Sequence, residues 1–166
     1  MFRLSKICDY GLVLLAHLAR HAEQAPHGAR ELAEALTLPA PMVSKVLKRL
    51  ARSGILASQR GSHGGYALAA HPDAISVAAM IDALDGPVGI TECTRAADLC
   101  SHEQGCAVRS PLHVINGVVR ESLASITLAD LIDPHFSRAM PTLQVLGAAE
   151  PPARATRAAS PPTGKA

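Results

Sequence analysis

Apolar positions recur at helical spacing over most of the chain. Between residues 4 and 22, Ile7, Tyr10, Leu14 and Leu18, with Leu15 and Ala16 beside them, fall on one face of a 3.6-residue repeat and predict a helix. Pro26 and Gly28 then mark a turn. ARELAEALTL (29–38) predicts a short amphipathic helix with Leu32, Ala33 and Leu36 inward. Pro39 and Pro41 break it, and PMVSKVLKRLARSG opens another helix with proline in its first turn. Val43, Val46, Leu47 and Leu50 form its apolar face, and Gly54 ends it.

The period then changes. Residues 55–59 and the run from Tyr66 to Ala69 read as two short strands, joined by the glycine-rich tip RGSHGG. SVAAMIDALDG (76–86) is a further helix with Ser76 as its cap and Gly86 as its stop. Residues 89–109 show no clear periodicity. SPLHVINGVVRESLASI (110–126) is helical again, because Leu112, Ile115, Val118, Val119, Ser122, Leu123 and Ile126 recur every three or four residues, and TLADLID adds one more turn. From about residue 135 the chain is rich in Ala, Pro, Gly and Ser and predicts a disordered tail.

Composition agrees with this mainly helical reading. Hydrophobic residues make up 48% and charged residues 18%, a globular balance. Aromatics are only 2%, with no Trp, so the core is expected to be Leu, Ile, Val and Ala, which favours helices. Asp9 precedes the apolar N-terminal stretch and His17 and Arg20 interrupt it, no small-residue cleavage site follows, and no run approaches a membrane span. The expectation is a cytoplasmic protein with reduced thiols.

The net charge of +2 identifies no partner; what matters is where the cations cluster. Two short helices joined by a tight turn, with a glycine-rich hairpin after them, make a winged helix-turn-helix pattern. In that arrangement the N-terminal half of the second helix meets base edges in the major groove. Here that half carries Met42, Ser44 and Lys45, and Lys48, Arg49 and Arg52 come next on the same helix. The wing adds Arg60, Ser62, His63 and Gly64, with flanking glycines that let a hairpin approach a sugar–phosphate backbone closely. A solvated helix face would explain the four helix cations alone. The preceding helix, the proline-marked turn and the basic wing turn the reading towards double-stranded DNA. Tyr66 reads as a packing residue at the base of the wing.

Three of the four cysteines, Cys93, Cys100 and Cys106, fall in the aperiodic stretch GITECTRAADLCSHEQGCAVR. Thiolates suit iron–sulfur clusters, zinc and copper. No CxxC pair of the structural-zinc type occurs, and three thiolates leave a fourth ligand to be found. The segment is polar, and its cysteines follow no apolar stripe, which disfavours incidental buried thiols. Enzyme signals are missing: there is no Ser/His/Asp arrangement and no phosphate loop, and GSHGG does not open a helix.

These features together resemble the IscR/NsrR family of iron–sulfur winged-helix transcription regulators. The resemblance runs from RLSKICDYGL at residue 3 to ITLADLI at 132, and rests on RGSHGGYAL, ISVAAMIDALDGP, the three-cysteine loop and ITLADL. Within the family, PAPMVSKVLKRL, GPVGITEC and CAVRSPLHVIN look most like the branch that regulates the Suf iron–sulfur assembly system. The resemblance implies a homodimer in which the long helix crosses its partner. It implies a [2Fe-2S] or [4Fe-4S] cluster near the dimer interface, ligated by Cys93, Cys100 and Cys106. Isc-type relatives place a histidine three residues after the last cysteine; here Arg109 stands there, and an arginine stays protonated and cannot ligate. The nitric-oxide sensor uses an aspartate of the first helix, donated by the partner, and the matching position is Asp9; a surface acid near a helix start is the alternative. His102 is a further exchange ligand, and Cys8, about 100° around the helix from Asp9, reads as a core thiol.

The expected fold class is therefore mainly α with a small β-hairpin wing. The expected organisation is a winged helix-turn-helix DNA-binding domain over 1–72, the cluster-binding loop and dimerisation helix over 73–134, and the tail over 135–166. The implied function is a sensor-repressor of iron–sulfur assembly genes. Its rival is a cluster-free winged-helix regulator that uses the loop for zinc or thiol-redox sensing.

Overall fold

Ser5 opens the first helix: its hydroxyl accepts the Cys8 amide at 3.2 Å, a side-chain cap, and α1 runs Lys6–Arg20. The computed structural model describes residues 4–61, 64–97, 99–102 and 105–136. α2 (Ala29–Ala35) and α3 (Ala40–Arg52) come next, with Pro39 at the α3 cap position and Pro41 in its first turn. Between them Thr37 takes a left-handed φ of 53°, so α2 stops short of the predicted residue 38. β1 (Leu56–Gln59) and β2 (Gly65–Leu68) pair antiparallel, with Leu56 opposite Leu68 and Gln59 opposite Gly65.

His27 adds a rung that the strand pattern did not predict. Its amide donates to the Tyr66 carbonyl at 3.0 Å and its carbonyl accepts the Tyr66 amide at 2.9 Å. A Cβ on Gly65 would collide with the His27 backbone, so only glycine permits this approach. The connection between α1 and α2 is thereby sewn to the hairpin.

α4 (Val77–Asp85) begins at Ser76, whose hydroxyl accepts the Ala79 amide at 3.2 Å. It ends at Gly86, where a φ of 86° turns the chain away. The aperiodic segment contains one helical turn, α5 (Glu92–Arg95). α6 (Arg109–Ala124) and α7 (Leu128–Ile132) complete the helices of the described residues, and α7 is capped reciprocally by Thr127 and Asp130. The starts of α4 and α7 lie side by side: Val77 donates to the Ile126 carbonyl and Leu128 to the Ile75 carbonyl, each at 2.8 Å.

The core is aliphatic, as the composition predicts. Leu14, Leu15 and Leu18 of α1 meet Leu32, Val43, Val46, Leu47, Leu50, Met80, Leu84 and Leu128, all buried. α1 packs on α3, α4 and α7, and α3 also packs on α2, α4 and β1. The result is mainly helical with a two-stranded wing, the expected fold class. Among the described residues no helix is long and apolar enough to cross a membrane. The predicted tail over 135–166 lies outside the described residues from residue 137 onward, as do Ser62 and His63 of the predicted wing tip.

Candidate nucleic-acid interface and cysteine loop

The inward face of α3 is Val43, Val46, Leu47 and Leu50, which turns the opposite face outward. Lys45, Lys48 and Arg52, at positions i, i+3 and i+7, form an exposed basic stripe on it. Met42 and Ser44 are half-buried in its first half. Arg60, at the end of β1, is exposed, and Gly64 is half-buried where the hairpin returns. The stripe and the wing thus meet the electrostatic requirement for phosphate contact.

Arg49 behaves differently from its neighbours. It is half-buried, and its Nη1 donates to the Leu84 carbonyl in the last turn of α4 at 2.6 Å. Tyr66 packs partly buried against the core, as expected for the base of a wing.

The cysteines are placed unequally. Cys93 is buried on α5, with its Sγ 3.3 Å from the Thr91 hydroxyl, whereas Cys100 and Cys106 are half-buried in the loop; all are free thiols. Cys8 is fully buried in the core, and burial, with Asp85 and Asp9 adding to it, pushes its thiol up to about 11. Asp9 and His102 are exposed. Three thiol donors on one loop fit an iron–sulfur centre by chemistry. Among the described residues of the single chain, no three His, Cys, Asp or Glu side chains are gathered closely enough to hold a metal ion.

The segment in front of Cys93 is held from several sides. The Asp82 carboxylate accepts the Val88 amide at 3.2 Å and the Arg120 guanidinium of α6 at 3.0 Å. Buried Asn116 of α6 accepts the Ile90 amide at 3.0 Å and donates to the Val88 carbonyl at 3.4 Å. The Asp85 carboxylate accepts both the amide and the hydroxyl of Ser5, and the Asp85 carbonyl accepts Arg95 at 3.3 Å. An open cleft of about 560 Å³ lies alongside, lined by Ser5, Lys6, Asp85, Ile90 and Arg95. Sequence reasoning singled out none of Asp82, Asp85, Asn116 and Arg120. The available signal was Asn116, a polar residue set inside the apolar repeat of α6.

A histidine cluster joins the end of α1 to the start of α2. The His17 and His21 rings stack at 4.2 Å, and the His27 ring lies edge-on to His17 at 6.0 Å. His27 is buried; its Nδ1 lies 3.2 Å from Glu31 Oε1 and its Nε2 is 3.0 Å from the His21 carbonyl. Burial, then the neighbouring His21 and His27, hold His17 below the usual imidazole range. The Gly28 amide, then His27, hold the Glu31 carboxyl below the usual carboxylate range.

Residues 4–134 match the Rrf2 family, described as iron-dependent transcriptional regulators. The chain is similar to the HTH-type transcriptional regulator IscR of Erwinia tasmaniensis, 28% identical over 131 residues, covering 79% of each chain. It is also similar to the HTH-type transcriptional regulator CymR of Bacillus subtilis, 30% identical over 122 residues, 74% of this chain and 83% of the relative. Among solved structures, CymR (YrzC), the global cysteine regulator of B. subtilis, aligns with a TM-score of 0.63 and 29% identity over 80% of this chain and 97% of that one. T. potens IscR aligns with a TM-score of 0.62 and 26% identity, covering 84% and 93%.

Proposed function

The chain belongs to the Rrf2 family of iron-dependent transcriptional regulators, and from that premise we propose that it is a homodimeric, DNA-binding repressor of iron–sulfur assembly genes that senses iron–sulfur cluster status. Its relatives are transcriptional regulators and not enzymes. One observation carries the finer reading: a loop with three free thiols adjoins, through the end of α4, a helix that presents an exposed basic stripe beside a wing.

In this reading Met42, Ser44 and Lys45 meet base edges, while Lys48, Arg52, Arg60 and the tip residues Ser62, His63 and Gly64 contact the sugar–phosphate backbone. Two copies related by a two-fold axis read a roughly palindromic operator. Cys93, Cys100 and Cys106 would hold the cluster, and the partner subunit's Asp9 would complete the site. When bound, the cluster supplies a centre that oxidants or iron shortage remove. The chain's own part is to keep Cys93 in place on α5 and to leave Cys100 and Cys106 accessible on the loop.

Anaerobic reconstitution with iron and sulfide is expected to give a brown protein with visible absorbance, and Cys100→Ala to lose that colour. An unchanged spectrum would overturn the ligand assignment. Asp9→Ala is expected to shorten the lifetime of the cluster in air; an equal lifetime makes Asp9 a surface acid. The similarity to the global cysteine regulator supports a second reading, a cluster-free regulator that senses through zinc or thiol oxidation. Metal and sulfide analysis of anaerobically purified protein separates the two: iron with labile sulfide favours the first, zinc or no metal the second.

A further inference from the structure

We propose that Arg49 is a positioning residue that ties the recognition helix α3 to the segment leading into Cys93, and so sets how strongly the state of the cysteine loop changes DNA affinity. The proposal rests on the reading of the chain as a loop-regulated DNA binder.

The geometry separates Arg49 from a groove contact. Taking Lys45 as the origin and 100° per residue, Lys48 and Arg52 lie within about 60° of it on one side of the helix. Arg49 lies about 40° to the other side, towards the buried flank that carries Val46. Its guanidinium donates to the Leu84 carbonyl at 2.6 Å, while the three stripe cations are exposed. Leu84 lies in the last turn of α4, where carbonyls have no partner within the helix. A cation there also meets the negative end of the helix dipole.

The chain beyond Leu84 is held as a block. Gly86 turns it, the Val88 amide is held by Asp82, Ile90 and Val88 are held by Asn116, and Asp85 is bonded by Ser5 and Arg95. Cys93 stands three residues beyond Ile90. A displacement imposed at Cys93 therefore reaches Leu84 through a segment anchored at Asp85, Val88 and Ile90. There it meets a charge-assisted bond to α3. Ser5 is also the cap of α1, the helix that carries Asp9, so the second candidate ligand reaches the same block.

The test measures dissociation constants for a fluorescent duplex taken from upstream of the chain's own gene, with cluster-loaded and cluster-stripped full-length protein. A coupling of ordinary size makes the two constants differ by about 5–150-fold in the unmodified chain. Arg49→Met is expected to bring their ratio within about twofold of one while the protein still loads cluster. Arg49→Gln, whose amide stops short of Leu84, is the second variant should Arg49→Met fail to fold. Arg52→Met is expected to weaken both states alike and keep the ratio, as loss of a phosphate contact does. If Arg49→Met or Arg49→Gln keeps the unmodified ratio the proposal falls, and both constants raised alike would mark Arg49 as a DNA contact. If the unmodified chain loads cluster yet shows a ratio of one, loop regulation itself falls, and the tie with it.

Discussion

Asn116 shapes the approach to the cysteine loop. It is only 6% exposed, and its carboxamide satisfies one amide and one carbonyl of a segment 26 to 28 residues away. Asn116→Ala strands both groups. A buried polar group left unpaired costs about 1–3 kcal/mol, so the variant is expected to melt several degrees lower. It should also exchange the Ile90 amide faster with solvent. Unchanged exchange at Ile90 would mean that the amide is protected by something other than Asn116. Arg49 shows why such roles escape a linear reading: it shares its charge and its helix with Lys45, Lys48 and Arg52. Only the packing of α4 against α3 gives it an inward partner.

At the scale of elements, His17 of α1 and Glu31 of α2 make stability depend on pH. His17 is held below its ordinary value of 6.5, so as pH falls the unfolded chain takes up the proton first. The folded state is thus destabilised from about pH 6.5 downward, through the lowered folded value. Glu31, held below its ordinary 4.5, adds stability above that pH that is lost as pH falls through its lowered folded value. Both act in one direction. The melting temperature is expected to fall on acidification in two stages, and His17→Gln to flatten the first. An unaltered first stage would assign it to another group.

The elements themselves were largely legible. Helical spacing placed α1, α3, α4 and α6 to within a few residues, and Ser76 and Gly86 bound α4 as their side chain and φ require. The His27 rung on β2, the pairing of the α4 and α7 starts, and the α5 turn were not legible. The first two join backbones 39 and 51 residues apart (66 − 27 and 127 − 76), and backbone pairing leaves no side-chain period behind. For the site, the basic stripe was visible as a stripe. The bond from Arg49 of α3 to α4 was not, because its acceptor is a main-chain carbonyl.

For the whole molecule, α6 shows what the single chain leaves unfinished. Its apolar repeat predicts a buried face, and Val119 and Leu123 do pack on the core. Val114, Ile115 and Val118, however, are 66%, 51% and 42% exposed. Such a row on one helix suits a copy of itself across a two-fold axis. Ile115→Glu is expected to convert a dimer to a monomer by light scattering while leaving the helical circular dichroism intact. A dimeric variant would place the contact elsewhere.

The two 2.8 Å bonds that join the starts of α4 and α7 bear on how long the chain between them can be. The stretch from Val77 to Ile126 begins and ends at this pairing, with α4 and α6 packed on the core and the cysteine loop between them. The closure cost of such an excursion rises only with the logarithm of its length. A change in the length of the loop between Cys93 and Cys106 is therefore expected to leave both bonds in place, with slow amide exchange at Val77 and Leu128 as its check.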